Sequence, residues 1–127
     1  MDIQIDSPIR VAINLVEFDE RIPSIKFFVE IVVDKFEFSF SVNMGCWVEC
    51  AVFDSFVDLL KQGRVARIED MNDDFSLLVD VENKKLVWSC AKRDVAGNAI
   101  GAGGEEVLVD GAANRILQAF ESYPKWW

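Results

Sequence analysis

Residues 24–42 read SIKFFVEIVVDKFEFSFSV, and this stretch decides the fold. Its first part places apolar side chains at odd positions, Ile25, Phe27, Val29, Ile31 and Val33, with Lys26, Glu30 and Asp34 between them. Side chains alternate between the two faces of a strand, so this is a strand with one face buried. After Val33 the apolar residues move to even positions, Phe36, Phe38, Phe40 and Val42. A single strand through all of them would far exceed the usual length of about 5 to 6 residues, so the chain must reset its pleat near Asp34 and Lys35. A two-residue turn there does so and gives an antiparallel hairpin; a bulge would also do it.

Upstream, Ile9, Val11, Ile13 and Leu15 repeat the period-2 pattern, and a turn over residues 19–23 joins them to the hairpin. Residues 1–8 read as an N-terminal extension. Downstream, a loop is expected at residues 43–45, and the period then becomes helical: Phe53, Phe56, Val57 and Leu60 share one face while Asp54, Asp58 and Lys61 face out. Lys61 suits the negative end of that helix and Gly63 its left-handed exit, whereas no capping side chain precedes Ala51.

Three short strands follow in RVARIED, FSLLVDV and KLVWSC, separated by the polar turns MNDD and ENKK. Gly97, Gly101, Gly103 and Gly104 make residues 94–106 a glycine-rich loop, and residues 107–109 a short strand. Asp110 is a suitable N-cap for a closing helix over residues 110–123, with Ala113, Ile116, Leu117 and Phe120 on one stripe and Pro124 as its stop. Contiguous strands, not strands alternating with helices, make the class α+β: one domain with a mainly antiparallel sheet of about six strands and two helices.

Composition bounds the function. The 127 residues are 51% hydrophobic, enough for a real core without disulfides or a structural metal. With 22 Asp plus Glu against 13 Lys plus Arg the net charge is -9, which disfavours binding to a phosphate backbone and favours a basic partner. The absence of His removes Ser/His and Cys/His nucleophile pairs and every His-based metal site. An odd count of three Cys and an N-terminus without a basic and apolar leader point to the cytoplasm, and no apolar run approaches the ~20 residues of a membrane span.

No candidate for chemistry outweighs its structural reading. Cys46 and Cys50 have the spacing of some zinc ligands, but only Cys90 remains where a structural site needs four ligands, so no metal is expected. GNAIGAGG lacks the Gly-Lys-Ser/Thr ending and the strand and helix context of nucleotide loops, so no cofactor is expected either. The acidic pairs Asp19–Glu20, Asp73–Asp74 and Glu105–Glu106 fall in or beside turns, as solvated residues and as anchors for Lys and Arg of a partner. Trp126 and Trp127 either pack the last helix onto the sheet or serve an interface.

The phrases SIKFFVEIVV, FEFSFSV, VFDSFVDLLKQG, VARIEDM and FSLLVDVENKKLVW, closed by a helix with Pro124, resemble the WapI-type family of small bacterial immunity proteins. That resemblance covers most of residues 9–124 but not the glycine-rich loop or the terminal Trp pair. It implies a cytoplasmic, non-enzymatic inhibitor, monomeric or homodimeric, that binds one cognate toxin domain and carries no catalytic residue. The acidic balance adds that the toxin is basic, such as a nuclease. Its expected contacts are Asp70, Asp73, Asp74, Glu105, Glu106, Trp126 and Trp127. A general protein-binding or scaffold module is the alternative, and an enzyme or a small-molecule carrier comes after both.

Overall fold

In the computed structural model, which describes residues 2–127, the chain forms two successive units of four strands and a helix. The first contains β1 (Ile3–Ile5), β2 (Arg10–Asp19), β3 (Ser24–Lys35), β4 (Phe38–Glu49) and α1 (Cys50–Lys61). The second contains β5 (Ala66–Glu69), β6 (Phe75–Asp80), β7 (Lys85–Arg93), β8 (Ala99–Val107) and α2 (Ala112–Glu121). The α+β class with antiparallel pairing stands, but the single sheet of about six strands is replaced by two four-stranded meanders, β1-β2-β3-β4 and β5-β6-β7-β8.

The departures within single elements trace to named residues. The presumed extension holds β1, whose Ile3 and Ile5 are buried against β2 with Ile3 opposite Ile13; three residues are too few to show a period. The hairpin turn lies at Phe36 and Glu37, two residues later than expected, because Asp34 and Lys35 stay in the ladder opposite Ser39 and Phe38. Phe36 then takes φ 55° in the turn and is fully exposed. The loop expected at residues 43–45 is instead part of β4, where Met44, Cys46 and Val48 continue the inward even positions opposite Val29, Phe27 and Ile25.

The glycine-rich segment is the largest correction: a β-hairpin turn followed by β8, in register with β7 from Lys85↔Val107 to Arg93↔Ala99, replaces the loop. Gly104 lies under the indole of Trp88, where a Cβ would come within 2.7 Å of Nε1. The absent side chain is therefore what lets Trp88 fill the core. Asp110 does not cap α2; Gly111, at φ 81°, stands at that end and no side chain bonds to the helix N-terminus.

The buried faces of both sheets and the apolar stripes of both helices form one core. Phe56 of α1 meets Phe120 of α2 with ring centroids 4.8 Å apart, and Phe53 reaches both Phe27 of β3 at 6.4 Å and Phe120 at 5.8 Å. α1 also lies beside β5 and α2 beside β1, so the helix pair joins the first strands of the two sheets. Among the described residues no helix is long and apolar enough to cross a membrane.

Candidate functional site

Two surface features stand out once the core is assigned. The first lies where the β2–β3 turn meets the C-terminal tail. The ladder between β2 and β3 shifts register between Leu15 and Glu17, which breaks the alternation and sets Phe18 opposite buried Ile25, on the inner face but still partly exposed. Phe18 packs edge-on against Trp126 at 6.4 Å, and Trp126 is half exposed. Glu17, Phe18, Asp19, Glu20, Arg21 and Trp47 line an open depression of about 550 Å³ beside them. Its three carboxylates have no salt-bridge partner among the described residues and Arg21 is the one cation in the rim.

The tail is held in place from beneath. Trp127 packs edge-on against Phe53 at 5.4 Å and stacks on Tyr123 at 6.2 Å. Lys125 pairs with Asp54 at 2.7 Å, and the Trp126 indole N–H donates to the Tyr123 hydroxyl. Trp127 is thus the anchor that presents Trp126, which separates two residues of identical type into one packing role and one exposed role. Desolvation is the main reason the Tyr123 hydroxyl titrates above its ordinary range.

The second feature is a groove of about 500 Å³ between β4 and the β7–β8 hairpin. Ser41, Asn43 and Gly45 form one wall, Lys92, Ile100 and Gly101 the other, and Val42, Met44 and Ala102 contribute half-buried apolar surface. Here the two sheets diverge. At one end Phe40 contacts Trp88 at 5.8 Å, and beyond Gly45 the Met71 N–H donates to the Trp47 carbonyl at 2.8 Å. Between these two contacts the edge of β4 is left uncovered.

No family model, curated protein or solved structure matches this chain. Its chemistry therefore has to be read from its own residues.

The acids expected at an interface are dispersed, and several are structural. Asp70 is only 4% exposed and accepts backbone N–H bonds from Asp74 at 2.7 Å and Phe75 at 2.9 Å, so it shapes the β5–β6 turn and is no surface contact. Asp73 is exposed in that turn at φ 58°. Asp74 pairs with Lys92 at 2.7 Å, and this hydrogen bond holds the Lys92 ammonium above its ordinary range. Glu106 is buried and paired with Lys35 of β3, whereas exposed Glu105 pairs with Lys85 at 3.0 Å on the neighbouring strand. Glu105 and Glu106 point to opposite faces of β8, the first exposed and the second buried.

The sequence reading overlooked Glu17 and Phe18. The signal available was the lapse of alternation after Leu15, which marks a bulge as readily as a strand end. The groove left another trace: residues 38–48 and 95–104 are the two longest charge-free runs in the chain, and they meet there.

The thiols are not poised for chemistry. Burial, reinforced by the Asp70 carboxylate, pushes Cys46 up to about 12 and Cys90 up to about 11, and Cys50 is also raised by burial. All three stay protonated at neutral pH, when a nucleophile or metal ligand must be a thiolate. Among the described residues no group of three or more His, Cys, Asp or Glu is placed to hold a metal ion.

Proposed function

We propose that this chain is a non-enzymatic binding protein of the immunity kind, which captures and neutralises a basic toxin domain in the cytoplasm. The observation that carries this reading is the open depression that Glu17, Asp19 and Glu20 line together with Phe18 and Trp47, with Trp126 packed on Phe18 next to it. Such a surface suits Arg and Lys, whose alkyl stems and cationic heads need an apolar ring face and a carboxylate together. Charge of -9 supports the same partner, because opposite charge accelerates encounter by ~10-fold or more. The resemblance to WapI-type immunity proteins supports the toxin as that partner.

The test is capture by the tagged chain in lysate of its source organism, at low and high salt, followed by association kinetics with the protein retained. One stoichiometric basic partner is expected, with association slowed about tenfold by E17Q/D19N/E20Q and much less by neutralising Glu82, Glu37 and Asp34 elsewhere. Several weak partners of mixed charge would sink the immunity reading in favour of a scaffold module. Equal effects of the two triple variants would remove the depression from the interface.

A further inference from the structure

We infer that the middle of β4 is an open receptor edge that takes up an extended, uncharged strand of the partner protein by main-chain pairing. The register shows which backbone groups are free. Cys50 N–H donates to Pro23 C=O at 2.9 Å, which makes residues 23 and 50 a hydrogen-bonded pair of the β3–β4 ladder. In an antiparallel ladder such pairs alternate with non-bonded ones, so the even residues of β4 bond to β3 and the odd residues turn their N–H and C=O away from it. The Trp47 carbonyl obeys this rule, since it is odd and accepts from Met71 on the far side.

Ser39, Ser41, Asn43 and Gly45 precede it with the same outward orientation, and their main-chain groups have no hydrogen-bond partner among the described residues. Natural sheets protect such edges with Lys, Pro, a bulge or a covering segment. β4 has no Lys and no Pro, and no register shift interrupts its pairing with β3. What would satisfy this row of donors and acceptors is another extended main chain, which names the class of occupant.

The side chains refine it. An added strand at this edge would lie in the groove and direct alternate residues toward Val42, Met44, Ile100 and Ala102. No carboxylate lines that groove, and its one charge, Lys92, is already paired with Asp74. In a chain of net charge -9, two charge-free runs facing each other favour a segment with apolar residues at every second position and no charge toward the groove. β8 ends the other sheet and is also open, but β4 combines an edge with an apolar wall opposite it. The inference rests on the reading of this chain as a protein-binding protein, though its test needs no toxin.

The probe is the blocked peptide acetyl-Lys-Val-Thr-Val-Thr-Val-Lys-amide, whose valines share one face and whose lysines lie on the other, titrated into the full ¹⁵N-labelled chain, with a copy N-methylated along one strand edge as a control of equal charge. Binding should shift the amide resonances of Ser41 and Asn43 and slow their hydrogen exchange at least tenfold. The methylated copy should bind at least tenfold more weakly. Ser41→Pro removes an outward N–H and leaves the β3 ladder bonded, so it should abolish the effect. Should that variant fail to fold, Ile100→Asp on the exposed side of the groove should weaken binding to the same extent. Shifts confined to other strands, or equal binding of both peptides, would overturn the inference. Concentration-dependent protection of Ser41 and Asn43 without peptide would overturn it too, by assigning the edge to a second copy. Peptide pairing at β4 alongside failure of the charge-neutralised variants to slow capture would remove the basic-partner reading and leave this one standing.

Discussion

β4 and β8 hold equivalent places, each the last strand of its meander and each followed within a few residues by a helix. They are held by different means. β4 is specified by its own side chains, Met44, Cys46 and Val48 inward, and by a partner strand as apolar as itself. β8 contributes three glycines, and its place is set by what β7 puts over it, above all the Trp88 indole on Gly104. A strand can thus be fixed by what it brings to the core or by the space it leaves for a neighbour.

The sharpest way to break this comparison is to add a side chain to each. Gly104→Val places its Cβ within 2.7 to 3.2 Å of three atoms of the Trp88 ring, and the ring must leave a site where it is 4% exposed. A loss of about 3–5 kcal/mol is expected in urea unfolding, the scale of losing a large core side chain. Gly45→Ala meets the Phe28 ring at 3.2 Å, but Phe28 is half exposed and can swing aside, so it should cost under about 1 kcal/mol. Equal losses would mean that the two strands are held alike.

Asp70→Ala should come between them, at about 2 kcal/mol, because buried amides of Asp74 and Phe75 would lose their acceptor. The turn it shapes contains Met71, whose N–H ties down the end of β4, so hydrogen exchange at that amide should rise in the same variant. Unchanged exchange would detach the turn from β4.

Cys46 on β4 and Cys90 opposite Ala102 of β8 offer a comparison by pH. Both thiols are raised by burial, to about 12 and about 11, from an ordinary value of 9.0. For an acid raised in the folded state, stability is fully present below the unfolded value and falls as pH climbs through the folded one. The urea midpoint should therefore decline from about pH 9 upward, and Cys46→Ala or Cys90→Ala should flatten the decline. A decline of equal slope in both variants would assign the alkaline loss to other groups. The smallest effect is expected from Glu105→Gln, under about 0.5 kcal/mol, because an exposed cross-strand pair with Lys85 contributes little.

The same contrast explains what could be read from the chain. The hairpin of β3 and β4, the meander of β5 to β7 and both helices announce themselves through periodic apolar residues, Phe27 and Phe56 among them. β8 could not, because glycine reports no face and its pairing is dictated by Trp88 sixteen residues away in sequence. β1 is too short for a period, and the split into two sheets depends on how β4 and β5 fail to pair, which no local pattern encodes. At the surface, net charge was legible, but Asp70 and Glu106 show that an acid's place in a turn or strand says nothing of its burial. The bulge that turns Phe18 to the face of Ile25 is likewise a property of two strands together.

The contact between α2 and β1 has a consequence for synthesis. The earliest strand is completed by the latest helix, and Phe120 of that helix also covers Phe53 and Phe56 of α1. A nascent chain that has released the whole first sheet and α1 still exposes those rings, so the core closes only once α2 has left the ribosome.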